Sequence, residues 1–178
     1  MLVGHSLGGA FIRLYAATYP ADVVGLVLVD AWYEGLQERL TPGEWAAYVR
    51  VTSEGPPELA AYRDLERLDF AAAAAAMRQA VAVQPLPAVP LAVLAHSQPF
   101  GLSADQLGFS PEAFEVAWRA AQERLATLVP RARYSVAAES GHDIQLQQPA
   151  LVIEAVRQVV VGVRDRDTWY DLASCCAR

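Results

Sequence analysis

Residues 1–11, MLVGHSLGGAF, decide how the rest of the chain is read. Gly4-His5-Ser6-Leu7-Gly8 fits the pattern G-x-S-x-G, and a second glycine follows at Gly9. Glycines two residues before and two after a serine let the backbone make a sharp, strained turn between a strand and a helix. Both flanks suit that turn. Met1–Val3 is a short apolar strand, and Leu7–Tyr19 carries Phe11, Leu14, Tyr15 and Thr18 at helical spacing before Pro20 stops it.

Outward from this turn, apolar runs alternate with amphipathic stretches. Val23–Val29 is continuously apolar but for Gly25 and ends in Asp30, as a strand buried on both faces does. Residues 33–85 differ, because nothing there alternates like a strand. Thr41-Pro42-Gly43-Glu44 is a capping box with proline at the first helical position, so a helix is expected over Glu44–Val51. Pro56-Pro57 interrupts it. Glu58–Ala82 then reads as one or two helices, with the alanine run 71–76 inside. We read 33–85 as a helical insertion forming a cap or lid. Leu91–Ala95 is the next strand. Ser110-Pro111 opens a helix whose inward stripe is Phe114, Trp118, Ala121, Leu125 and Leu128. Tyr134–Ala138 is the last strand, and Pro149 opens the last helix. Residues 164–178 read as a polar tail.

The expected fold is therefore α/β: a parallel sheet of about four strands flanked by helices. Its core is 1–32 with 86–163. In such sheets reactive groups gather beyond the carboxyl ends of the strands, and Ser6, Asp30 and His142 each follow a strand.

Composition narrows the chemistry. The 178 residues carry a net charge of −6, which argues against a nucleic-acid partner. No apolar run approaches the ~18 residues of a membrane helix, and no leader pattern opens the chain, so a cytoplasmic location is expected. All 14 basic residues are arginine, which leaves no lysine for a Schiff base. The only cysteines, Cys175 and Cys176, are adjacent and lack metal-ligand spacing; no cofactor or metal is expected.

A serine hydroxyl becomes a nucleophile only beside a base that is itself oriented by an acid. There are three histidines. His142, in Ser140-Gly141-His142, is the expected base, because it follows the last strand and the preceding glycine lets its loop turn back over the sheet. His96 is the second choice. His5 is disfavoured, since neighbours in a tight turn point to different sides. Asp30 is the expected acid, with Asp105 and then Glu34 as alternatives. The Leu7 N–H, at the start of a helix, is the expected oxyanion donor.

The motifs Gly4-His5-Ser6-Leu7-Gly8-Gly9 and Ser140-Gly141-His142, in this order of elements, resemble the C-terminal part of an α/β-hydrolase over residues 1–163. The resemblance implies Ser6 as nucleophile, His142 as base and the Leu7 N–H as oxyanion donor, and it offers two places for the acid: after the sixth strand, where Asp30 stands, or after the seventh. It also implies about four strands and two helices ahead of the elbow. On that reading the chain is a fragment of a longer protein, and the second oxyanion donor lies in the missing part. A serine at the elbow favours hydrolysis of small esters or related acyl compounds through an acyl-enzyme. The alternative is a non-catalytic fragment that binds a ligand or partner. The substrate and the oligomeric state are not legible.

Overall fold

The computed structural model describes residues 1–54 and 68–170. The expected break at Pro56-Pro57, the start of the helix at Glu58, both cysteines and residues 171–178 lie outside these. Four parallel strands form one sheet in the order β1 (Leu2–His5), β2 (Leu26–Val29), β3 (Leu91–His96), β4 (Arg133–Ala137). The register runs Leu2 to Leu26 to Leu91 along one row, and Ala92 pairs with Arg133.

Helices separate the strands. α1 (Leu7–Thr18) follows β1. A 3-10 stretch (Glu34–Arg39), α2 (Pro42–Glu54) and α3 (Phe70–Val83) lie between β2 and β3. The short α4 (Ala104–Leu107) and the long α5 (Pro111–Leu125) precede β4; α6 (Ile144–Gln147) and α7 (Pro149–Arg164) follow it. Among the described residues no helix is long and apolar enough to cross a membrane.

Side-chain alternation in β2 explains its unbroken apolar run. Leu26 and Leu28 pack with Ala16 and Ala17 of α1 and Leu125 of α5. Val27 and Val29 pack on the other face with Ala155 and Val159 of α7. A strand covered by helices on both sides has no face to leave polar. A third apolar cluster joins α2 and α3 to α5 through Trp32, Trp45, Tyr48, Met77, Phe114 and Trp118. Capping is as the sequence predicts: Thr41 and Glu44 exchange hydrogen bonds at the start of α2, and Ser110 Oγ accepts from Ala113 N at the start of α5.

Element bounds differ in two instructive places. Of the run 23–29 only Leu26–Val29 is strand, although the Gly25 carbonyl already accepts from Leu2 N; Gly25 itself passes so close to α7 that a Cβ there would lie 2.6 Å from Val159. Beyond α7, residues 168–170 form a 3-10 turn instead of a loose polar stretch. Trp169 is buried there; its indole N–H donates to the Arg131 carbonyl, and the Arg133 guanidinium lies over its ring and donates to its carbonyl.

Candidate functional site

The turn at Ser6 is as sharp as its glycines suggest. Ser6 sits at φ 51°, ψ −124°, a strained conformation for a residue with a side chain. It is held there by three backbone bonds: Ser6 N to Val29 O, and Gly9 N and Trp32 N to Ser6 O. Gly4 and Gly9 are required by close approach. A Cβ on Gly4 would lie 2.6 Å from the Gly8 carbonyl oxygen, and one on Gly9 would lie 2.3 Å from the Ala31 Cβ. Gly8 has open space around it. Leu7 is the first residue of α1, so its N–H has no partner within the helix.

Asp30 lies at the end of β2, fully buried, with φ 42°. Its carboxylate collects four donors. Oδ2 accepts from His142 Nδ1 at 2.6 Å and from His96 Nδ1 at 2.7 Å. Oδ1 accepts from the Trp118 indole at 3.1 Å and from the His96 backbone N–H at 3.2 Å. Burial alone would raise its pKa, but the bonds from His142 and His96 outweigh that and hold it below the ordinary aspartate range.

His142 is placed by its loop. Gln147 Oε1 accepts from Gly141 N and from Ser140 Oγ, and Ser140 O accepts from Ser97 N and Gln98 N. His5 donates from Nε2 to the His142 carbonyl at 2.9 Å. Its ring lies 4.5 Å from that of His142, and burial followed by the charge of His142 lowers its pKa. With Nδ1 engaged by Asp30, His142 has Nε2 left for proton transfer.

Ser6, Leu7 and His142 line one cavity of about 220 Å³. The rest of its wall is mostly apolar: Trp32, Tyr48 and Phe70 from the segment between β2 and β3, and Phe100, Phe114 and Trp118 from the other side. Burial pushes the Tyr48 phenol well above the ordinary range, so it stays neutral. Among the described residues, His142 and Tyr48 are the only ionisable side chains in the wall.

The other sequence candidates are elsewhere. Asp105 is exposed on α4. Glu34 is buried against Arg13, with Oε2 2.7 Å from NH1. His96 reaches Asp30 but turns its other nitrogen to Glu115, and it is absent from the cavity wall. Sequence reasoning missed Glu115 and the indole of Trp118 as partners of the cluster. It placed Trp118 on the buried stripe of α5, and Glu115 carried no signal of its own.

Asp30, His96 and His142 bring ligand atoms within 4.8 Å of one another. The N···O separations of 2.6 and 2.7 Å are those of charge-assisted hydrogen bonds, with a proton between each pair and no room for an ion.

Comparison with known proteins agrees with this architecture. Residues 1–155 match the model of a family described as "Alpha/beta hydrolase family". Among solved structures, a probable hydrolytic enzyme from Pseudomonas aeruginosa PAO1 is 19% identical, with 89% of this chain and 62% of that chain covered and a TM-score of 0.51. The alpha/beta hydrolase domain-containing protein 10 from mouse is 16% identical, with 91% and 62% covered and a TM-score of 0.54. The chain thus spans less than two thirds of either relative. A search of curated proteins finds no match.

Proposed function

This chain belongs to the alpha/beta hydrolase family, and from that premise we propose that it carries the catalytic centre of a serine hydrolase acting on small, uncharged, apolar acyl substrates. One observation carries the proposal: Ser6, on its strained turn, and His142, held through Nδ1 by the buried Asp30, line the same apolar cavity. Ser6 Oγ attacks the acyl carbon as its proton passes to His142 Nε2. Asp30 remains ionised and stabilises the imidazolium. The Leu7 N–H faces the oxyanion at the start of α1, where the helix dipole also favours negative charge. His142 then returns the proton to the departing alcohol. Water, activated the same way, releases the acid and restores Ser6.

The apolar wall supports an ester, thioester or lactone whose acyl part is a short aliphatic or aromatic group. Residues 33–85 act as the cap in this reading, beside a core formed by 1–32 and 86–163; Tyr48 and Phe70 support it, since they line the cavity together with Ser6 and His142. A non-catalytic binding chain is the second reading. It is favoured by the apolar side chains exposed beside β1, namely Val3, Phe11, Tyr15 and Tyr19.

Labelling by a fluorophosphonate probe tests the proposal. Such a probe phosphonylates an activated serine. Labelling of the wild type that disappears in Ser6→Ala supports the hydrolase. Absence of labelling in folded wild-type protein favours the binding reading.

A further inference from the structure

Two histidines share one carboxylate oxygen here, and a triad needs only one. His142 and His96 both place Nδ1 within 2.7 Å of Asp30 Oδ2. His96 then turns Nε2 to Glu115 Oε2 at 3.0 Å, while Glu115 Oε1 accepts from Phe100 N at 2.7 Å. An ionised carboxylate only accepts hydrogen bonds. With both carboxylates ionised, a ring with a carboxylate oxygen at each nitrogen donates from both, which is the imidazolium form.

We propose that His96 is a positioning residue acting through Asp30: as a cation clamped between Asp30 and Glu115, it fixes the carboxylate that receives His142 and cancels the charge of Glu115. This rests on the hydrolase reading above.

Charge counting shows what the clamp achieves. Asp30 and Glu115 are negative and His96 is positive, so His142 faces a net charge of −1, as in a simple triad. With His96 neutral it would face −2 in a largely buried site. The other titratable groups coupled to this cluster are His5, against His142, Asp143, 3.8 Å from His5, and Tyr134 of β4, which feels the charge of Asp30 together with those of Glu123 and Arg119 on α5. Burial pulls the His96 pKa down, yet the bonds and charges of Asp30 and Glu115 outweigh burial and raise it. The clamp also reaches the cavity wall. Phe100, whose backbone Glu115 holds, places its ring 4.8 Å from the rings of both His96 and His142.

Nitrogen NMR of histidine-labelled protein tests the charge, and the pH profile of p-nitrophenyl butyrate hydrolysis tests the positioning. The expected spectrum at pH 7 has both His96 ring nitrogens protonated in the wild type and in Ser6→Ala, and one proton lost more readily in Glu115→Gln. In His96→Gln the acid limb of kcat/KM moves up by roughly one pH unit, because a nearby positive charge is gone. On that limb activity falls about tenfold and returns at higher pH, with KM unchanged. Glu115→Gln does not move that limb upward. A single ring proton on His96 at pH 7 overturns the proposal. So does a wild-type profile in His96→Gln, or an equal loss at every pH in both variants. If the wild type neither turns over ester nor takes the fluorophosphonate label, the hydrolase reading fails, and the nitrogen spectra, which need no activity, decide the clamp. They also decide it through Glu115→Gln if His96→Gln does not fold.

Discussion

Asp30 and His142 stand 112 positions apart in the chain, yet Oδ2 of one lies 2.6 Å from Nδ1 of the other. That contact fixes which nitrogen of His142 carries the proton. Replacing Asp30 with asparagine keeps the shape and removes the charge. In the proposed mechanism the imidazolium then forms without its counter-ion, and a side-chain amide can hold the ring in the wrong tautomer. Asp30→Asn is expected to lower kcat by about 10³–10⁴. Asp105→Asn, on the exposed α4, leaves kcat unchanged. Ester turnover by the two purified variants checks both statements.

The elbow makes a structural prediction independent of catalysis. A methyl group on Gly4 would meet the backbone of Gly8 at 2.6 Å, and one on Gly9 would meet Ala31 at 2.3 Å. Backbone yields less readily than a flexible side chain. Gly4→Ala and Gly9→Ala are each expected to cost about 1–3 kcal/mol, by overpacking. Gly8→Ala meets nothing within 4 Å and is expected to be tolerated. Urea unfolding of the three variants ranks them; equal midpoints for all three would remove the close-approach argument.

Much of this was legible from the chain because local and global signals agree. The glycines around Ser6, the continuous run ending at Val29, the capping box at Thr41–Glu44 and the prolines at 111 and 149 all act over a few residues. Strand-end positions then brought Ser6, Asp30 and His142 to one end of the sheet. The His96–Glu115 bridge was not legible, because it depends on how α5 is rotated about its own axis. A period of 3.6 residues marks Phe114 and Trp118 as inward, but the angle that also turns Glu115 toward the end of β3 is set by packing. The burial of Trp169 was hidden for a related reason. A charged stretch averages over its single tryptophan, and the residues that hold it, Arg131 in the turn before β4 and Arg133 at its start, lie far away in the chain.

Arg13 and Glu34 form a second buried pair, away from the cavity. Arg13 is fully buried, its NH1 is 2.7 Å from Glu34 Oε2, and its NH2 donates to the Trp32 carbonyl. The pair ties α1 to the segment that leaves β2. Removing one partner strands a charge in an apolar setting. Arg13→Met is expected to destabilise by about 3–5 kcal/mol, whereas Arg13→Met with Glu34→Leu recovers most of that loss. Equilibrium unfolding of the single and double variants reads the difference. A double variant no more stable than the single one would show that the charge pairing is not what Arg13 contributes.

His96 gives folding stability a pH dependence whose sign follows from its raised pKa. The native state holds the His96 proton more tightly than the unfolded chain, where histidine titrates near its ordinary value of 6.5. Below that value both states are protonated, and the full contribution of the clamp is present. Above it the unfolded chain releases the proton while the folded one keeps it, so this contribution falls as pH rises. The fall ends once the folded-state value is passed. Its slope cannot exceed about 1.4 kcal/mol per pH unit for one proton. Asp30 behaves oppositely and in another range: its lowered pKa contributes above the unfolded aspartate value and is lost as pH falls through the folded one. Urea unfolding between pH 6 and 9 therefore shows wild-type stability declining more steeply than that of His96→Gln. Parallel curves for the two proteins would mean that His96 carries no extra proton in the folded state, and the charge count around Asp30 would have to be redrawn.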